Sequence, residues 1–298
     1  MNKGLRRLAI HAAYRALHGT GAARWNRRAD AVVFCYHNVI PDELVGRAGN
    51  PWIHAGLSEF SEQIEWISKH FAVVPLGELL SRLRRGRPLK GLAAVTFDDG
   101  YTGCLRLAIP VMRSVSVPFT LFPVIRAADQ RTPFWWDVFG EVGNAERERY
   151  LTSLTGDSEL ILAERPRNAE LPEDAMPASW SALRSALGGD CTIGIHGMTH
   201  RNLTALSPAE VAWEVTEARA RMNDEIGRTM DVVAYPYGLT NAAVQAETER
   251  AGCQVGLGLD FGLIRDGDST MNLSRITVPA GLSMSTFACW ASGLQLRG

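Results

Sequence analysis

Two adjacent carboxylates, Asp98 and Asp99, stand in the run Thr96-Phe97-Asp98-Asp99-Gly100-Tyr101, directly after an apolar stretch. Like charges this close raise one pKa unless a cation or hydrogen bonds intervene. A metal ion meets that need, with one Asp ligating it while its neighbour stays free as a base. The competing reading is an Asp-Asp-Gly turn that caps the next helix. A second group, His196-Gly197-Met198-Thr199-His200, also follows an apolar run. Spacing of i and i+4 puts both imidazoles on one face if the chain turns helically, which suits chelation of one ion. Two unrelated surface histidines are the alternative. In Tyr235-Pro236-Tyr237-Gly238, proline and glycine fix the backbone sharply, so an N–H there can be held as an oxyanion donor, or the segment is an ordinary turn. His37, in Tyr36-His37-Asn38, ends the first apolar run, where a lone histidine is commonly structural.

These residues need a scaffold that brings them together. Short, β-branched apolar runs recur at residues 31–36, 72–75, 93–97, 119–124, 191–195, 232–235, 254–259 and 275–278. Helical patterns separate most of them. Residues 57–71 carry Phe60, Ile64 and Ile67 on one face, with Ser58 or Ser61 as a cap. Ser207-Pro208-Ala209-Glu210 opens another helix with a capping box and a first-turn proline, running to about Ile226 before Gly227. Eight or so strands alternating with helices predict an α/β fold with a parallel sheet, closed or nearly closed into a barrel. His37, Asp98, Asp99, His196 and Tyr237 all fall at or just beyond the carboxyl ends of separate strands, which converge on one face of such a barrel. Residues 126–190 break the alternation and read as an insertion on one loop.

Composition bounds the rest. The 298 residues are 46% hydrophobic with a net charge of −1, so there is no basic field for nucleic acid. The charge is uneven: residues 1–30 hold seven basic side chains against the single acid Asp30. Leu5, Leu8, Ala9, Ala12 and Leu17 give that segment a mildly amphipathic helix, suited to an anionic membrane surface or to docking on the domain. The five cysteines, Cys35, Cys104, Cys191, Cys253 and Cys289, show no CxxC spacing and read as reduced, buried thiols. With no apolar signal core and no long apolar span, a cytoplasmic protein is expected, peripheral on the inner membrane face if the segment binds lipid.

Over residues 31–280 the chain resembles the polysaccharide deacetylases with a NodB-like domain, carbohydrate esterase family 4, through TFDDGY at 96–101 and HGMTH at 196–200. The Tyr-His-Asn-Val start resembles the branch that includes biofilm poly-N-acetylglucosamine deacetylases. The resemblance implies a deformed (β/α) barrel of about seven strands and removal of an N-acyl group from an amino sugar. It implies Asp98 as general base, and Asp99, His196 and His200 as ligands of one divalent ion, with Zn²⁺ first and Fe, Co, Ni or Mn also compatible with mixed N/O ligation. The Tyr237 N–H would help bind the oxyanion. Three departures stand out. Gly197 replaces the usual Ser or Thr, Ala234 stands where an arginine often begins the third motif, and no histidine follows His200. Arg275 is the candidate for the missing charge, and His37, before His54, for the missing acid.

Trp135 and Trp136 are candidates for a sugar-stacking wall, with Asp137 on hydroxyls, unless they pack the insertion onto the barrel. The expected substrate is an N-acylated amino-sugar glycan or a lipid- or nucleotide-linked precursor. Three other readings compete: a deformylase or amidase on a non-polymeric substrate, a degenerate sugar-binding protein, and an Fe(II) oxygenase using two histidines and a carboxylate.

Overall fold

The computed structural model describes residues 3–19, 30–165 and 170–296. Its centre is a parallel sheet in the order β10-β1-β5-β6-β7, from β1 (Val32–Tyr36), β5 (Leu92–Asp99), β6 (Phe119–Pro123), β7 (Cys191–Ile193) and β10 (Ile276–Thr277). The two-residue β4 (Ala72–Val73) pairs the start of β5 on the edge that β6 takes further along. Every residue of β1, β5 and β6 is buried, as expected of parallel strands covered on both faces. Their sequences accordingly run apolar without alternation.

Two further pairs complete the strands: β2 (Asn38–Ile40) with β3 (His54–Gly56), and β8 (Val232–Ala234) with β9 (Val255–Leu257). Among the described residues ten strands thus stand where eight were expected, because β2 and β3, at three residues each, are too short to show a period. The ladder passes from β7 to β8 through one bridge, Ile195 to Val233, and from β9 towards β10 through another, Leu257 to Leu273. Among the described residues the ladder is therefore interrupted at these two places.

Among the described residues, twelve α-helices surround the strands. They are α1 (Lys3–Gly19), α2 (Leu57–His70), α3 (Leu76–Arg84), α4 (Ile109–Ser114), α5 (Ile125–Gln130), α6 (Trp135–Phe139), α7 (Asn144–Thr152), α8 (Ser158–Glu164), α9 (Trp180–Ala186), α10 (Pro208–Ile226), α11 (Ala242–Arg250) and α12 (Met284–Trp290). α10 begins with the expected Ser207–Glu210 capping box and ends on Gly227 at φ 90°, a left-handed C-cap open to glycine. α2 differs. It starts at Leu57, and Asp42 from a preceding turn caps it by accepting from the Ser58 N–H and hydroxyl.

The insertion is helical, and smaller than expected. Trp180, Leu183 and Ala186 of α9 join the main core, so the end of the 126–190 stretch belongs to the framework. Phe134, Trp135, Trp136, Val138, Phe139, Tyr150 and Ile161 form a separate cluster with Tyr101 and Val124. At the other end of the chain, Tyr14 is buried against Cys289, with Ile10, Leu17, Trp290 and Leu294 around it, and its hydroxyl accepts from the Trp290 indole. The apolar face of α1 therefore packs on α12. Arg24, Arg27 and Arg28 lie outside the described residues, and no helix among those described is long and apolar enough to cross a membrane.

Candidate active site

The carboxyl end of β5 carries Asp98 and Asp99, both almost fully buried. Asp98 is held from behind by Arg275, whose Nη1 and Nη2 donate to Oδ1 and Oδ2 at 2.8 and 2.7 Å. Arg275 is itself fixed by Gly258 O at 2.9 Å and Thr96 Oγ1 at 3.3 Å. The Cys35 thiol donates to Asp98 Oδ2 at 3.4 Å. Burial alone would raise the Asp98 pKa, but the charge and paired hydrogen bonds of Arg275 hold it well below the usual carboxylate range. The fork geometry of the guanidinium also fixes the carboxylate plane. Ala234, at the start of the third motif, leaves this place to an arginine that comes from near β10.

Asp99 departs from the strand. Its φ of 69° lies in the left-handed region, and Gly100 follows at 83°. A Cβ on Gly100 would stand 2.7 Å from Pro123 Cβ, so glycine is required for both reasons. The turn aims Asp99 Oδ1 at His196 Nε2, 3.4 Å away, and at His200 Nε2, 3.3 Å away. The two histidines do not lie on a helix. Gly197 at φ 82° and His200 at 60° bring them together instead, with ring centroids 4.8 Å apart. A Cβ on Gly197 would lie 2.9 Å from Glu214 Oε2. The left-handed backbone at this position, tightened by the Glu214 carboxylate, favours glycine over the usual serine or threonine.

The donor set fits a divalent cation. Bonds of about 2.0–2.1 Å at tetrahedral angles place ligand atoms about 3.4 Å apart, matching both separations. His196 Nδ1 donates to Ala234 O at 2.7 Å, which leaves its Nε2 lone pair towards Asp99. Burial pushes His200 down to about 3, which favours the neutral ring that ligation requires.

Around these donors lies a cavity of about 180 Å³ lined by His37, Asp98, Asp99, Trp135, Trp136, His196, His200 and Tyr237, together with Asn50, Ile53, Arg147 and Leu259. His37, Cys35 and Asp98 offer polar atoms within 4.8 Å of one another. Tyr237 sits at φ 59°, ψ 5° with its ring 4.5 Å from His200 and its hydroxyl on Gly156 O. The Trp135 indole donates to that hydroxyl, and Trp136 packs 4.9 Å from His200, so both tryptophans line the cavity while also packing the insertion.

Residues 85–256 match the family model described as polysaccharide deacetylase. The chain belongs to the polysaccharide deacetylase family. Members of this family generally depend on a divalent metal. The chain is 20% identical over 225 residues to a poly-beta-1,6-N-acetyl-D-glucosamine N-deacetylase of Staphylococcus aureus, covering 74% of this chain and 66% of the relative. In fold it is similar to the Streptococcus pyogenes deacetylase PplD (TM-score 0.62, 15% identity, 87% of this chain and 96% of that one). It is likewise similar to IcaB from Ammonifex degensii (TM-score 0.61, 20% identity, 89% and 97%).

Two expectations for this deacetylase-family chain need correcting. Asp137 does not line the cavity: it is buried, with Oδ1 on His54 Nε2 at 2.9 Å and Oδ2 accepting from the Tyr101 hydroxyl at 2.6 Å. Buried and off the cavity wall, this carboxylate does not reach sugar hydroxyls. His54 is equally unavailable as an acid, since its other ring nitrogen takes the Asn38 amide at 2.9 Å. Together with the Trp136 indole, which donates to the Tyr101 hydroxyl at 2.8 Å, these groups tie α6 to the strand ends and so place Trp136. Glu214, unremarked in the sequence, is also part of the architecture. It is fully buried on α10 and accepts from the Thr199 N–H at 3.0 Å, from the Thr199 hydroxyl, and from Arg201 Nε at 2.9 Å. Its signal was a charge on the apolar stripe of Val211, Val215, Ala218 and Met222.

Proposed function

We propose that this chain is a metal-dependent N-deacetylase acting on an N-acetylated amino sugar in a glycan or glycan precursor, such as the poly-N-acetylglucosamine named for its S. aureus relative. The observation that carries the reading is the adjacency of two differently treated carboxylates, Asp98 clamped by Arg275 and Asp99 facing two imidazole nitrogens. A divalent ion on Asp99, His196 and His200, Zn²⁺ first among those the donors suit, would supply a polarised carbonyl and an acidified water.

The chain's own groups account for the remaining steps. Asp98, kept ionised by Arg275, accepts the proton of the attacking water. Tyr237, in its left-handed turn, offers its backbone N–H to the developing oxyanion. His37 protonates the departing amine from the Asp98 side of the cavity. Trp135 and Trp136 take an apolar sugar face and keep water from the reacting centre. Incubation of metal-loaded protein with N-acetylglucosamine oligomers and precursors, followed by mass spectrometry, tests this directly. Loss of one acetyl group per turnover is expected, and Asp98→Asn should abolish it. An Asp98→Asn protein that turns over like the wild type would sink the reading.

A further inference from the structure

The charges around the cavity are not balanced. Asp98 is already matched by Arg275, and Asp99 faces its two histidines. A divalent ion in that place would bring more positive charge than Asp99 removes. One more cation reaches the cavity wall: Arg147, on α7, the only lysine or arginine among its described lining residues. It is exposed, and among the described residues no carboxylate pairs with it. Its neighbours behave differently. Arg149 pairs with Glu164 at 2.8 Å and Arg165 with Glu146 at 3.4 Å. The insertion thus matches cations to acids on its outer surface and leaves the cavity-facing one open.

The size of the cavity narrows what that cation can meet. At about 180 Å³ it falls below the roughly 300 Å³ at which pockets engulf drug-sized ligands. Arg147 and the two tryptophans line the same small cavity, so a substituent on a sugar held there, or on its immediate linkage, can meet Arg147. A guanidinium matches phosphate and carboxylate oxygens with paired hydrogen bonds and opposite charge, which a neutral hydroxyl does not offer.

We infer that Arg147 binds an acidic substituent, phosphate or carboxylate, carried by the N-acylated sugar itself, so that the enzyme selects a charged substrate over a neutral one. This rests on the N-deacetylase reading for the identity of the sugar. The charge selection can be measured apart from turnover.

The probes are N-acetylglucosamine, N-acetylglucosamine 1-phosphate and N-acetylmuramic acid, the last two separating phosphate from carboxylate. Binding to Zn²⁺-loaded protein is followed by calorimetry, and deacetylation by release of acetate. An acidic probe should bind at least tenfold more tightly than the neutral sugar. Arg147→Ala should bring that ratio close to one and Arg147→Glu should invert it, while Arg147→Lys keeps part of it. An exposed position makes misfolding a minor concern, and circular dichroism checks it. Equal affinity for all three probes in the wild type would overturn the inference. So would a preference that survives Arg147→Ala, because the acidic group would then be held by the metal ion. Should no probe be deacetylated while the Arg147-dependent preference persists, the fault lies with the proposed reaction and the charge selection stands.

Discussion

The Asp98–Arg275 pair offers the sharpest test of how this site is held together. Arg275 is fully buried and commits its guanidinium to two charge-assisted bonds on Asp98, at 2.8 and 2.7 Å, besides those to Gly258 and Thr96. Arg275→Met keeps much of the side chain's volume and removes the charge, leaving buried Asp98 without a countercharge and with only the Cys35 thiol as a side-chain donor. Breaking a buried pair in this way costs about 3–5 kcal/mol, a large share of the roughly 5–15 kcal/mol that stabilises a domain. Urea unfolding of the chelated protein, so that metal binding does not contribute, should show that loss in its midpoint. The double variant Asp98→Asn/Arg275→Met removes the stranded charge as well and should recover about 2 kcal/mol of it, a coupling expected only of groups in contact. Turnover in Arg275→Met should fall about 100-fold or more, the scale of misplacing a general base, with one metal per chain retained because Arg275 touches no ligand. A loss below about 1 kcal/mol, or strictly additive variants, would refute the view that Arg275 is the electrostatic support of Asp98.

Other expectations follow from the same geometry. Chelation should abolish turnover and one equivalent of Zn²⁺ should restore it, whereas Asp99→Asn should fail to retain the ion in elemental analysis. Glu214→Leu leaves the Thr199 N–H and the Arg201 Nε–H without their acceptor, so metal affinity should fall about 10–100-fold in competition with a chelating dye, although Glu214 touches no ion. Gly197→Ala, at φ 82° and against Glu214, should cost about 1–3 kcal/mol in thermal unfolding of the chelated protein. The thiols should be silent at pH 8. All five are buried, with Cys191 pushed up to about 12 and Cys253 to about 11 by burial, so the reactive thiolate forms only at much higher pH. An aromatic disulfide reagent should report five thiols only after denaturation.

What could be read from the residues divides along a physical line. Asp98, Asp99, His196, His200 and Tyr237 were legible because each follows an apolar run, and parallel strands carry their ends to one place whatever lies between. How the two histidines converge was not legible. Their i, i+4 spacing fits a helix, yet the chain uses left-handed Gly197 and His200, and only the folded backbone, with Glu214 against it, reveals why glycine is there. Asp137 shows the opposite failure. Next to two tryptophans it has the composition of a sugar contact, but its partners His54 and Tyr101 lie 83 and 36 residues away, and nothing in one sequence announces such pairings.

Arg147 is the harder case. Within Glu146-Arg147-Glu148-Arg149 no residue type or spacing marks one arginine as different from the other, and both sit on the same short helix. The distinction arises from the fold of the insertion, which buries Tyr150 and Trp135 together, pairs Arg149 with α8, and thereby turns Arg147 to the cavity. The chemistry of this site is written at strand ends, where the sheet fixes position and residue type alone is informative. Its selectivity is written on an inserted helix, where position depends on packing that a charged, weakly periodic sequence does not display. Substitutions at the strand ends should therefore remove activity towards every substrate, and those along α7 should change which substrate is preferred.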